Sequence, residues 1–542
     1  MFAMNQQIAS PDVTTPIFPA FSPAQVRAEL LARREILLAD LREEDAFAKG
    51  HPLWAANFPV GRLELDVPRR IPRRDVLIVL YGRDDYRDLA PLAAQKLASW
   101  GYGNVHLLDG GLAAWTQAGY ELFIDVNVPS KSFGEFVEAR RHTPLLPAEE
   151  VRRLIGSETP PVILDARRFD EFNTMSIPTG ISVPGAELVL RVRDLAPDPK
   201  ITVIVNCAGR TRSIIGTQSL INAGIPNPVA GLRNGTIGWT LAGFALDHGA
   251  TQRSSQTTRQ ARQAAQIDAR QVAERAGVRR ISLAAADAIV QPGRSIYRID
   301  VRDPEECRSG HLPGFVNVPG GQLVQETDHA VPVRGALILL ADDDGTRADM
   351  TASWLSQMGW EVLVVDPVED KERRQLEDIR FDAVPVPQVP LVSPQDLRDW
   401  LEDGDTAVID VTSSANYVKG HVPGAWWALR SQIAPALQAV GPAERIVVTC
   451  GSGALAAFAA KEVATLTASK VFVLEGGTGA WIADGLPVTK GEERLASIRI
   501  DRYRRPYEGT DASRQAMEDY LEWEYGLVAQ LDRDGTHFFE VI

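Results

Sequence analysis

The sequence predicts an α/β protein built from four tandem copies of one small unit, each a parallel sheet flanked by helices, with a helical C-terminal extension. Three observations predict it. Four apolar segments each run into an aspartate: "ILLAD" to Asp40, "PVILD" to Asp165, "SIYRID" to Asp300 and "TAVID" to Asp410. A second apolar segment ends 42, 42, 42 and 40 residues further on, at Gly82, Cys207, Asp342 and Cys450. Between and after these segments come stretches of helical pattern, and short apolar strands alternating with helices form parallel sheets.

Within each copy the elements follow one order. Eleven residues after the aspartate come His51, Ser176, His311 and His421, three of them in the Gly-His pairs of "GHPLW", "GHLPG" and "GHVPG"; the second copy has "MSIPTG" instead. These histidines are read as structural, fixing the turn after the first helix. In "LDARRFDEF", Asp165 and Arg167 are read as a local pair that holds the strand end. The second strands are "DVLIVLYG", "ITVIVNC", "ALILLAD" and "RIVVTC". A helical stretch follows, then a third strand with its turn: "VHLLDGGLAAW", "NPVAGLRNGTIGW" and "VFVLEGGTGAW", with only "EVLVVDP" in the third copy. Each unit is large enough for its own core.

Two segments stand outside the repeat. Residues 251–276 are polar, rich in Arg, Gln and Ala and free of Gly, which predicts a helical linker. Residues 493–542 form the extension, with the helical stretch "ASRQAMEDYLEWEYGLVAQL". Its Tyr520, Leu521, Trp523 and Leu527 are expected to pack on a domain or on a second subunit, which leaves a homodimer open.

Composition sets outer bounds. A chain of 542 residues allows about three to five domains. At 45% hydrophobic and 24% charged it reads as a globular protein. A net charge of −14 argues against nucleic acid or an anionic membrane as partner. No apolar run approaches the roughly 20 residues that span a bilayer. The first residues, "MFAMNQQIASPDVTTP", lack the basic and apolar regions of a signal peptide. Three cysteines make no disulfide framework, so the expected setting is a reducing cytoplasm where a reactive thiol persists.

The chemistry concentrates in "NCAGRTRS". Cys207 follows an apolar strand and precedes the helical stretch "RSIIGTQSLINAG". At such a junction successive backbone N–H groups of Ala208, Gly209, Arg210, Thr211, Arg212 and Ser213 can converge on one centre, and the helix adds its positive N-terminal end. The side chains of Arg210 and Arg212 add charge. All three effects favour thiolate over thiol, and the thiolate is the nucleophile. The same cradle suits an anionic substrate and a bound persulfide.

Each unit resembles the rhodanese domain over roughly residues 20–490. The Asp…Gly-His-x-Pro-Gly element, the strand-Cys-loop-helix and the Gly-Gly-x-x-x-Trp turn carry the resemblance, and all stand in copy four. The whole chain resembles the bacterial sulfurtransferases with four rhodanese domains. That resemblance implies a double displacement: the cysteine takes a sulfane sulfur from thiosulfate or a related anionic donor, then passes it to cyanide or a thiol. It implies no metal and no organic cofactor. The division expected is a tail at 1–19, domain 1 at 20–128, domain 2 at 129–250, the linker at 251–276, domain 3 at 277–384, domain 4 at 385–492 and the extension at 493–542.

The other three copies differ at the nucleophile position. Gly82 and Asp342 cannot form a persulfide, and the acidic groups nearby, Asp84 and Asp85 or Asp342 to Asp344, are expected to repel an anionic donor. Cys450 is a second candidate nucleophile. Its loop, Cys450-Gly451-Ser452-Gly453, resembles that of mercaptopyruvate sulfurtransferases but carries no arginine, and Leu455 stands where that family has a polar residue. Cys307 is read as packing. Two alternatives stay beside thiosulfate sulfurtransfer: a mercaptopyruvate sulfurtransferase, or a relay or scaffold handing persulfide sulfur to a protein partner. A phosphatase of the related Cys-x5-Arg type is disfavoured, because the sixth residue after Cys207 is Ser213 and Arg212 is only the fifth.

Overall fold

The computed structural model describes residues 18–83, 88–254, 256–289, 293–366, 368, 372, 376, 381, 384–509 and 511–542. Asp84, Asp85 and most of the N-terminal tail lie outside them.

The four copies form four sheets of five parallel strands, each in the order first, fifth, fourth, second, third. Register explains the sequence period. Each repeat aspartate pairs with the residue just before the nucleophile position: Asp40 with Tyr81, Asp165 with Asn206, Asp300 with Ala341 and Asp410 with Thr449. The central strands are buried on both faces, as in Val203–Asn206, so they read as continuous apolar runs rather than alternating ones.

The copies do not stand apart. Copies one and three share one core, joined by an antiparallel bridge between Ile36 and Arg334. The linker forms the helix Arg259–Arg275, started by the Thr258 hydroxyl accepting from the Ala261 N–H. Its Ala265, Ala269 and Val272 pack between the helix of copy two and Met350 of copy three. Copy four meets copy one through Arg430, whose guanidinium donates to Glu64 and to the Gly61 carbonyl.

The extension packs on domains of its own chain. Its helix, Arg514–Asp534, starts on the Ser513 hydroxyl. Leu527 and Leu531 enter the shared core, while Tyr520 and Leu521 pack on Ile237 of copy two. This apolar face is therefore covered within the chain.

The Gly-His turns are structural. His51 stacks on Phe47 and bonds the carbonyls of Pro52 and Asp125; His421 stacks on Tyr417. In copy two, Ser176 keeps the turn by a backbone bridge to Asp247. Asp165 and Arg167 form the buried bidentate pair expected, and Arg167 also donates to the Met175 carbonyl. The same Asp-x-Arg pair recurs as Asp40 with Arg42 and Asp300 with Arg302. Copy four has Thr412 in place of the arginine, and burial pushes its Asp410 up to about 7.

Among the described residues no helix is long and apolar enough to cross a membrane, and no group of His, Cys, Asp and Glu is placed to hold a metal ion.

Candidate active site

Cys207 ends the strand Val203–Asn206 and faces the start of the helix Thr211–Asn222. The loop between them is fixed from the opposite side by the turn after the third long strand. The Thr236 N–H donates to the Cys207 carbonyl at 2.9 Å, the Ile237 N–H to the Ala208 carbonyl at 3.0 Å, and the Thr236 hydroxyl to the same oxygen at 3.1 Å. Gly235, at φ 53°, allows this approach: a Cβ there would collide with the Cys207 carbonyl oxygen. Copy four repeats the device, with the Thr478 and Gly479 N–H groups on the carbonyls of Cys450 and Gly451. This is the physical content of the Gly-Gly-x-x-x-Trp turn.

The Cys207 thiol is 2% exposed and donates to the Ser213 hydroxyl at 3.5 Å. That hydroxyl donates to the Arg210 carbonyl. Burial pushes the thiol above its ordinary range; Arg212 and the Ser213 hydroxyl and N–H pull it back, and Glu524 pushes it up again. This differs from the sequence expectation of a thiol tipped toward thiolate. The loop supplies its cation and its N–H, but desolvation outweighs them in the closed site.

The two arginines part company. Arg212 makes a bidentate pair with Glu171, both bonds 2.8 Å, and is the first of the charges that favour the thiolate. Arg210 turns the other way. Its guanidinium is held by Glu135 and Glu138 of the helix Val128–Arg141, by Asn234 and by the Tyr525 hydroxyl of the C-terminal helix. It therefore ties three elements together rather than facing the thiol. Ala208 and Ser213 are buried beside Cys207, and Thr211 packs against Gly134. Gly209 lies under the C-terminal helix, where a Cβ would stand 3.2 Å from Tyr520.

A cavity of about 1560 Å³ opens beside the site. Among the described residues its wall includes Arg212, Arg167 and Glu171 from copy two and Arg502, Arg505 and Tyr507 from the extension, but not Cys207. Arg502 and Arg505 both pair with Glu508. Sequence reasoning missed this contribution of residues 502–508. The cluster of arginines in "RYRRPYE" was the available signal.

The sister positions differ from this one in different ways. Gly82 sits at φ 149°, and a Cβ would press within 3.1 Å of Leu41. Asp342 fills its own cradle: its carboxyl accepts from the N–H groups of Gly345 and Ala348, where copy two keeps a thiol. Burial first, then Asp344, push its carboxyl well up. Asp342 thus occupies the loop's N–H groups with its own carboxyl. Arg347 occupies the Arg212 position and pairs with Glu187, Glu306, Asp343 and Asp344. In copy four, burial pushes the Cys450 thiol up, the N–H groups of Leu455, Ala456 and Gly453 pull it down, and Asp410 pushes it up. Cys307 is buried on its helix.

Four parallel α/β units, one of which sets a cysteine and an arginine at a helix N-terminus, define a tandem-repeat protein with a single arginine-backed thiol site. The model of the Rhodanese-like domain matches residues 22–118, 147–242, 284–367 and 393–484, and the chain belongs to the rhodanese family. Its structure is similar to the crystal structure of a thiosulfate sulfurtransferase from Pseudomonas aeruginosa, with a TM-score of 0.94 and 59% identity over 97% of this chain and 100% of that one. It is also 36% identical over 109 residues to the HTH-type transcriptional regulator Rv0324 of Mycobacterium tuberculosis. That match takes in 20% of this chain and 46% of the relative, so the chain spans less than half the length of that curated relative.

Proposed function

We propose that this chain is a thiosulfate sulfurtransferase working through a persulfide on Cys207. The observation that carries the reading is the Cys207 loop, where a thiol, the Ser213 N–H and the Arg212 charge meet at a helix N-terminus. The likeness to the Pseudomonas aeruginosa thiosulfate sulfurtransferase along nearly the whole chain supports it. The Cys207 thiolate attacks the sulfane sulfur of thiosulfate. The S–S bond of the donor breaks, its electron pair leaves with sulfite, and Cys207 holds the persulfide. Cyanide or a thiol then attacks the outer sulfur and Cys207 departs as thiolate.

In this reading domain 2 is the active unit, within the boundaries expected from the sequence, and domains 1 and 3 are kept for packing or interaction. Arg212, the N–H groups of Ala208 to Ser213 and the helix end bind the anion and favour the thiolate, while Arg210 serves by positioning. Three free, buried cysteines support a reducing compartment, the cytoplasm. The extension covers its apolar face within the chain, so nothing in this reading needs a homodimer. The direct test is mass spectrometry of peptides after incubation with thiosulfate: one added sulfur on the Cys207 peptide is expected, and its absence overturns the reading.

Cys450 has no arginine partner and Asp410 disfavours its thiolate, so Cys450→Ser is expected to keep most thiosulfate:cyanide activity. Loss of more than half in a folded variant would make copy four a working site. Loop charge also sets the expected donor. Arg212 favours compact, doubly charged thiosulfate, whereas the neutral loop at Cys450 suits a bulkier monoanion. Thiosulfate is therefore expected to exceed mercaptopyruvate in kcat/KM with cyanide as common acceptor, in wild type and in Cys450→Ser alike. Mercaptopyruvate ahead in both proteins would separate donor choice from loop charge.

A further inference from the structure

The helix Arg514–Asp534 carries Glu524 against the Cys207 loop at Gly209. The residue is 1% exposed. Its Oε1 accepts the Tyr520 hydroxyl at 2.9 Å, while its Oε2 accepts no hydrogen bond among the described residues. That oxygen faces the nucleophile loop: a side chain on Gly209 would stand 3.3 Å from it. Its charge is felt at Cys207, where it disfavours the thiolate.

The surrounding charges are committed elsewhere. From the helix Val128–Arg141, Lys131 pairs with Asp125 at 2.6 Å and Glu135 pairs with Arg210. From the loop, Arg210 is held by Glu135 and Glu138. Arg212 is paired with Glu171. Tyr520 lies on the same helix as Glu524, and Tyr507 packs on Tyr520. Burial pushes Glu524 up to about 8, Glu135 adds to this, and Lys131, the Tyr520 hydroxyl and Arg210 pull it down. A buried carboxyl with a spare oxygen is costly unless the site uses it.

The Cys207 site has a use for it. Its thiol is 2% exposed and must lose a proton before it can attack. Ser213, which accepts the thiol hydrogen bond, already donates to the Arg210 carbonyl and is a feeble base. We propose that Glu524 is the proton store of the Cys207 site, taking the thiol proton as the donor reacts and returning it when the acceptor has taken the sulfur.

This rests on the sulfurtransferase reading, and both half-reactions balance. In the first, with Glu524 in its carboxylate form, whose share grows as pH rises toward about 8, the Cys207 thiol and thiosulfate give the persulfide anion, the Glu524 carboxylic acid and sulfite. The S–H proton moves to Oε2, the new S–S bond forms at Sγ, and the donor's S–S electron pair leaves with sulfite. In the second, cyanide attacks the outer sulfur and the S–S pair returns to Sγ. Thiocyanate leaves, and the Glu524 proton returns to Cys207. Thiolate and carboxylate then never stand charged together opposite a dianion in one buried pocket.

The test is the rate of persulfide formation from thiosulfate, followed by mass on the full-length protein across pH, in wild type, Glu524→Gln and Tyr520→Phe. Glu524→Gln keeps the shape and loses the base. It is expected to slow the step about a hundredfold near neutral pH, with the deficit closing at high pH where hydroxide removes the thiol proton. Tyr520→Phe keeps the carboxyl but removes a donor that holds its pKa down. Its rate is therefore expected to fall off at higher pH than the wild type's on acidification. Equal rates in Glu524→Gln and wild type, or a deficit identical at every pH, would overturn the proposal. Should melting curves show Glu524→Gln unfolded, an unmoved pH profile in Tyr520→Phe overturns it instead. A wild type that gains no sulfur at Cys207 rejects the sulfurtransferase reading itself, whereas a wild type and a Glu524→Gln variant that react equally fast reject only the proton store.

Discussion

Cys207→Ser is expected to reduce thiosulfate:cyanide transfer to background, a loss of at least about 10³-fold. The serine hydroxyl fits the buried space, and its oxygen can keep the hydrogen bond to Ser213, so the fold is expected to hold. What is lost is chemical: an alkoxide is not accessible in this site near neutral pH, and oxygen cannot carry a sulfane sulfur. No sister copy is expected to take over. Gly82 and Asp342 carry no thiol, and Cys450 lacks an arginine. The measurement is initial-rate thiocyanate formation with purified protein, alongside melting temperature. Turnover at the wild-type level in a folded Cys207→Ser protein would remove Cys207 from the mechanism and move attention to Cys450.

The repeat itself was legible because strand pairing imposes it. An aspartate on one central strand lies opposite the residue before the nucleophile position on the next, so both recur at a nearly constant separation. The glycine turns were legible for a similar reason: carbonyls at the cysteine position leave no room for a Cβ. What could not be read was anything brought in from far along the chain. Glu135 and Glu138 reach Arg210 from 75 and 72 residues away, and Tyr525 from 315. Two arginines in one loop looked equivalent by sequence because their partners, not their spacing, decide which one faces the thiol. The extension showed an apolar face in Tyr520, Leu521 and Leu527, but nothing in its pattern marked Glu524 as different from the other acidic residues of that helix. The Asp-x-Arg pair could have been found by setting the copies side by side, and Thr412 in copy four would then have stood out.

Arg212→Ala carries the second large expected effect, and it separates the two arginines. Arg212 holds Glu171 by two bonds and is the leading charge that favours the Cys207 thiolate. Removing it should raise the Cys207 pKa further and raise KM for thiosulfate, with a charge-assisted contact worth about 1.5–3 kcal/mol, or about ten- to a hundredfold. Iodoacetamide alkylation of Cys207 against pH reads the first effect, and initial rates read the second. Arg210→Ala should leave the alkylation profile in place, because Arg210 spends its charge on Glu135 and Glu138, and should instead loosen the C-terminal helix that its Tyr525 contact secures. Stability adds an independent check. Burial alone would raise Glu171, but Arg212 holds its carboxyl at about 2, below the unfolded value of about 4.3. A carboxyl depressed in the fold stabilises above its unfolded pKa, and that contribution fades as pH falls toward its folded pKa. The stability gap between wild type and Arg212→Ala should therefore be full at neutral pH, shrink below about pH 4.3 and close near about pH 2. A gap that stays constant through that window, or an alkylation profile that moves in Arg210→Ala and not in Arg212→Ala, would mean that the Glu171 pair does not set the charge at Cys207.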